Sequence, residues 1–150
     1  MVLAGCAGAP PDLEADRAEI ARLLRQERTA HLEKRADLIS GVAADTLLMV
    51  ARGEVTAQTP DAMRTRMQAY LDRSTFQAWD DIEPPRIRLS PDGRMAYAIV
   101  RKRVRRTEGD SPGRAMAEHT VFAWVELYEK LDGRWRLMAV ASTDAPGEGS

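Results

Sequence analysis

Few residues in this chain carry side chains able to act on a substrate, and their spacing separates them. Glu126 lies two residues from Trp124 and two from Tyr128 in the stretch HTVFAWVELYEK. Residues two apart share a face of a strand. Phe122, Trp124, Glu126 and Tyr128 therefore form one row, and Val121, Ala123, Val125 and Leu127 the other. An aromatic row is packing by default. If this row lines an enclosed space, the Glu126 carboxyl has a raised pKa and is a candidate acid or base. His31 and His119 are the only histidines. His31 continues the apolar stripe of the first expected helix and is the second candidate acid or base. No group of Cys, His, Asp and Glu has ligand spacing such as His-x-x-x-His, so neither a metal nor another cofactor is expected.

The remaining charged features read as structural. Asp80 and Asp81 are adjacent, so in a strand they point to opposite faces and cannot both address one atom. With Trp79 they read as a solvated turn before Pro84-Pro85. Arg101-Lys102-Arg103, with Arg105 and Arg106, is the dense basic run. Nucleic-acid binding would need aromatics interleaved on that face, and Tyr97 alone is there. The run reads as one solvated cationic face, or as arginines bracketing a pocket mouth. The formal net charge of -1 gives no general attraction to nucleic acid or anionic lipid.

Positioning these residues falls to helices first and strands after. Leu13, Ile20, Leu23, Leu24 and Ala30 give a helix from Leu13 to about His31, capped by Asp12. A short second helix starts near Asp37. DTLLMVARGEVTAQ reads as one or two strands broken at Gly53. Thr59-Pro60-Asp61 starts a third helix, with Met63, Met67, Tyr70 and Leu71 on one face. From Thr75 the pattern is β. It is interrupted at Pro84-Pro85, turns at Ser90-Pro91-Asp92-Gly93, loops through EGDSPGRAMAE and turns again at LDGR.

That order implies an α+β domain, a cone-like curved antiparallel sheet with three N-terminal helices on its concave side. At 150 residues, 30% of them charged and 44% hydrophobic, the chain has the size and composition of one globular domain. Residues 12–145 form it, after a tether over 1–11 and before a disordered tail over 146–150. The single cysteine, Cys6, can form no internal disulfide. Leu3-Ala4-Gly5-Cys6 resembles the lipobox of bacterial lipoproteins, in which the cysteine is lipidated. The resemblance implies a cell-envelope protein held to the membrane through Cys6. The alternative is a cytoplasmic protein.

The helix-then-strand layout, closed by WVELYEKLDGRWRLMAVASTD, resembles the nuclear transport factor 2-like (NTF2-like) superfamily, in particular its SnoaL-like and ketosteroid isomerase-like domains. The resemblance covers residues 12–145 and implies a pocket inside the cone and a homodimer through the sheet's outer face. In the isomerases a carboxylate base sits in the first strand, where this chain has Val50 between Met49 and Ala51. Their first helix supplies a tyrosine that is missing here. Glu126 falls beside their protonated carboxyl. The expected pocket is apolar, lined by Leu48, Val50, Met67, Tyr70, Val100 and Trp124. The expected function is binding of an apolar small molecule, without an assigned reaction. The alternatives are a SnoaL-like cyclase or isomerase using Glu126 or His31, and an interaction module built on its dimer face.

Overall fold

The computed structural model describes residues 10–109 and 116–146. The expected lipidation site at Cys6 and the tail residues 147–150 lie outside the described residues. Three helices come first: α1 (Leu13–Leu32), α2 (Ala36–Ser40) and, after two strands, α3 (Pro60–Arg73). The strands are β1 (Ala43–Ala51), β2 (Glu54–Gln58), β3 (Ser74–Asp81), β4 (Arg86–Leu89), β5 (Met95–Glu108), β6 (Met116–Leu131) and β7 (Arg134–Pro146). β7 runs one residue into the expected tail, since Pro146 pairs with Thr120 of β6.

Local chemistry sets the boundaries. The Asp12 carboxylate accepts the Ala15 amide of α1 at 3.0 Å, and the Thr59 hydroxyl accepts the Ala62 amide of α3 at 3.3 Å. The β1–β2 and β6–β7 hairpins turn through Arg52-Gly53 and Asp132-Gly133, all four at positive φ. Two-residue turns of that kind match the twist of their strands. Pro84 and Pro85 cannot donate ladder bonds. They split one edge into β3 and β4, which pair with successive parts of β5.

The strands form one curved sheet in the order β2-β1-β7-β6-β5-β3, with β4 also against β5. Every pairing is antiparallel except β1 with β7, which is parallel. The helices cover the concave face, so the expected α+β architecture is present. On β5 the alternation is strict. Ala96, Ala98, Val100, Lys102 and Val104 are buried, while Tyr97 and Ile99 on the outer face are exposed. Leu48, Val50 and Leu127 are also exposed there, on the face that the sequence reading assigns to a second subunit.

One buried knot ties α1 to the far hairpin. Asp16 Oδ1 accepts Trp135 Nε1 at 3.0 Å and also the Lys130 ammonium. Arg17 donates to the Ile87 carbonyl at 2.7 Å, fixing the same end of α1 to β4. Gln26 donates to the Leu38 carbonyl at 2.7 Å and Gln68 to the Lys34 carbonyl at 3.0 Å, tying the three helices together. Replacing Asp16 with Ala strands an ammonium and an indole N–H with no acceptor. The expected loss is about 2–3 kcal/mol of unfolding free energy, read by urea denaturation.

Candidate functional site: a buried carboxyl pair in an apolar cavity

Between the helices and the concave face lies a cavity of about 260 Å³. Leu23, Leu38, Ile39, Met63 and Met67 line it from the helices, and Met49, Phe122, Leu137 and Val140 from the sheet. A cavity of about 150 Å³ holds benzene, so this one accommodates roughly ten non-hydrogen atoms. Its polar lining includes Glu27 and His31 from α1, Tyr70 from α3, and Glu126, Tyr128 and Ser142 from the sheet.

Glu126 is 4% exposed. Its Oε1 accepts Trp124 Nε1 at 2.8 Å and its Oε2 accepts the Tyr128 hydroxyl. The Glu27 carboxyl lies within hydrogen-bonding reach of it. Burial raises the Glu126 pKa, and the donors Tyr128, Trp124 and Glu27 pull it back down. Glu27 is raised well above the ordinary carboxyl range, first by burial and then by the negative charge of Glu126. Its Oε2 is buried and receives no N–H or O–H. A proton on Glu27 accounts for both facts. Two carboxyls in contact then share one hydrogen bond instead of two repelling charges. The pair is read as Glu27 the acid and Glu126 the carboxylate.

His31 stacks on Trp79 at 3.6 Å between ring centroids and meets Phe76 edge-on. Its Nδ1 lies 2.9 Å from the Glu27 carbonyl oxygen. A carbonyl only accepts, so Nδ1 carries the proton and Nε2 presents a lone pair. Burial lowers the His31 pKa to about 4, and the Lys102 charge adds to the effect. The imidazole is neutral at physiological pH.

Of the residues named from sequence, Glu126, His31, Met67, Tyr70 and Trp124 lie on the cavity wall. Val100 is buried in the core, away from that wall. Leu48 and Val50 require correction: they are 42% and 39% exposed on the outer face, while Leu47 and Met49 point inward. The run Leu47-Leu48-Met49-Val50 is apolar on both faces, so its pattern does not fix which parity is buried. Trp79-Asp80-Asp81 is part of strand β3 and not a solvated turn. Trp79 is buried, Asp80 pairs with Arg28 and Asp81 with Lys102. His119 is exposed. Arg101, Arg103 and Arg105 are solvated, whereas Arg106 lies 5.0 Å from the Tyr70 ring centre and pairs with Glu108 and Glu118.

Sequence reasoning missed Glu27 and Lys102, although each carried a signal. Glu27 follows Ile20 by seven residues and Leu23 by four, which places a carboxyl on the buried stripe. Lys102 shares the alternating row of Ala98, Val100 and Val104. Among the described residues no group of three or more His, Cys, Asp or Glu is placed to hold a metal ion.

The architecture is that of the NTF2-like fold. A Salmonella enterica NTF2-like superfamily protein superposes with a TM-score of 0.72 at 12% identity, over 91% of this chain and 96% of its own. A ketosteroid isomerase-like protein from Erwinia carotovora gives 0.67 at 11% identity, over 87% and 96%. An NTF2-like protein with a cystatin-like fold from Novosphingobium aromaticivorans gives 0.65 at 18% identity, over 92% and 86%. No family model matches the sequence, and no curated protein matches it. At these identities the likeness defines the fold.

The two unusual protonation states tilt stability with pH in opposite senses. Unfolded His31 takes up a proton below its ordinary value of 6.5, while the native one waits until about 4. That contribution is complete above 6.5 and is lost as pH falls toward 4, a change of about 3 kcal/mol. Native Glu27 keeps a proton that the unfolded chain releases above 4.5, so stability declines as pH rises from there. In urea melts across pH, His31→Phe flattens the acid-side decline. Glu27→Gln flattens the alkaline-side one and gains on the wild type as pH rises.

Proposed function

We propose that the domain binds a small, uncharged, mostly apolar molecule inside the cone, with one hydroxyl or carbonyl group of that molecule meeting the Glu27–His31 side of the cavity. The observation that carries this reading is the company kept by the carboxyl pair. It sits in an otherwise greasy cavity, and its one negative charge is already held by Trp124, Tyr128 and Glu27. An anionic ligand would face that carboxylate, and a cationic one the field of buried Lys102. A neutral ligand escapes both penalties. Its polar group has partners in the Glu27 carboxyl and the His31 Nε2 lone pair.

A second reading, acid–base turnover of such a molecule, draws on the acid Glu27 and the neutral imidazole sharing one cavity. In that reading Glu126 anchors Glu27 and does not itself abstract a proton, because its oxygens are engaged by three donors. Position in the cell is a separate proposal: Leu3-Ala4-Gly5-Cys6 supports lipidation of Cys6 and anchoring in the envelope. Expression of the whole gene in a bacterial host with labelled palmitate checks it, and Cys6→Ala abolishes the label.

Calorimetric titration with 2-naphthol, naphthalene and 2-naphthoate tests the ligand class. 2-Naphthol binds. Naphthalene, lacking the hydroxyl, binds about tenfold more weakly, the value of one hydrogen bond. 2-Naphthoate gives no heat. Val140→Phe, which fills the cavity, weakens 2-naphthol by about tenfold or more. Equal binding of the anion, or indifference to Val140→Phe, refutes the reading.

A further inference from the structure

We propose that His31 sets the selectivity of the cavity: its Nε2 lone pair takes ligands whose polar group donates a hydrogen bond, such as an aromatic N–H or O–H, over those whose polar group only accepts. The inference rests on the reading of the cavity as a site for a neutral, mostly apolar molecule. It narrows that molecule's polar group from a hydroxyl or carbonyl to a donor, and it assigns the recognising atom.

One contact decides both the tautomer and the orientation of the ring. His31 Nδ1 lies 2.9 Å from the Glu27 carbonyl oxygen, one turn back on α1. The opposite tautomer would set the Nδ1 lone pair against that oxygen, and a ring turned over would set a carbon there. Packing holds the ring in the same place. It stacks on Trp79 at 3.6 Å, with 13° between the planes, and meets Phe76 edge-on at 5.5 Å. The two nitrogens of an imidazole point apart. With Nδ1 turned back onto its own helix, Nε2 is directed away from α1, on a residue that lines the cavity. The bond through Nδ1 is the one hydrogen bond the His31 side chain makes among the described residues. Burial keeps the ring neutral at physiological pH, so Nε2 carries no proton.

The other polar groups at this end of the cavity are engaged or sealed. Trp124 Nε1 and the Tyr128 hydroxyl donate to Glu126. Glu27 donates toward Glu126, and its Oε2 is buried. Trp79 Nε1 has no partner, but it too is buried. Tyr70 and Ser142 are half-buried, where water can meet their hydroxyls. An acceptor brought to His31 would therefore set lone pair against lone pair, and both would stay unpaired in an apolar site. A donor satisfies Nε2 and is itself satisfied. An indole-sized bicycle matches the roughly ten non-hydrogen atoms that the cavity accommodates.

The test compares indole with benzofuran, which has the same shape and an oxygen in place of the N–H. Each is titrated calorimetrically into the full chain at neutral pH. Indole binds about tenfold more tightly than benzofuran, the value of one hydrogen bond. In His31→Phe, which keeps a stacked ring and lacks the lone pair, that preference disappears. A second measurement reads the atom itself, by nitrogen NMR of the wild type labelled in its histidine rings, with His119→Asn supplying the assignment. His31 shows one protonated and one unprotonated nitrogen. Indole moves the unprotonated resonance upfield, and benzofuran leaves it in place. Equal binding of the two probes by the wild type, or a His31 resonance indifferent to bound indole, overturns the proposal and leaves the cavity reading standing. Binding of neither probe overturns both. If His31→Phe does not fold, the nitrogen spectrum still decides.

Discussion

A carboxylate inside a protein must be neutralised or surrounded by donors, and around Glu126 both are in force. Two aromatic side chains on its own strand donate to it, and the neighbouring Glu27 carboxyl and the charge of Lys102, itself paired with Asp81, help to hold its pKa down against burial. Each of these neighbours depends on a particular part of the fold. Trp124 and Tyr128 depend only on strand alternation, since residues two apart share a face. Glu27 depends on α1 lying across the concave face with its stripe inward. Lys102 depends on β5 being covered from the same side. Without the helices, Glu126 would sit on an open sheet at an ordinary pKa, and there would be no cavity for it to line.

Sheet curvature makes room for this arrangement. β5, β6 and β7 are long, and β6–β7 carries a register shift between Leu127 and Tyr128, at the edge of the polar cluster. Such irregularities increase local twist and re-aim side chains. The helices bridge the hollow instead of filling it, because their inward side chains include flexible methionines, Met63 and Met67, and the planar ring of His31. Methionine packs irregular gaps without closing them. The Asp16 knot holds α1 against the β6–β7 hairpin, and the cavity is walled by α1, α2 and α3 on one side and the sheet on the other.

How much of this was legible in the sequence follows from which signals are local. Helix caps at Asp12 and Thr59, glycine turns at Gly53 and Gly133, and the proline break at 84–85 are decided within a few residues, and the elements stand where those signals put them. Glu126 was legible because its aromatic neighbours mark a covered strand. The inward parity of β1 was not, since Leu47 to Val50 is apolar on both faces and the choice is made by the register with β7 across a long sequence gap. Glu27 and Lys102 were hidden differently. Each is a charged residue in an apolar periodic row. Read one at a time, such a residue is assigned to a solvated face, because only the folded partner explains its burial.

Taken singly, Lys102, His31 and Glu126 break the rule that buried positions are apolar, half-buried Glu27 adds a carboxyl with a buried Oε2, and each carries a desolvation penalty. Taken together their charges are offset, Lys102 by Asp81 and the Glu126 carboxylate by Trp124 and Tyr128, with a neutral imidazole beside them. The offset makes the cluster tolerable without making it the most stable solution. Apolar residues of similar volume generally match or exceed a buried ion pair in stability. Nor does the fold need these charges for its architecture: caps, turns, strand pairing and the Asp16 knot lie elsewhere. Departures of this kind concentrate where a protein meets a ligand or does chemistry. Three of them, Glu27, His31 and Glu126, line the cavity, and the proposed ligand site is argued from them and not from the fold, since the fold by itself names no ligand.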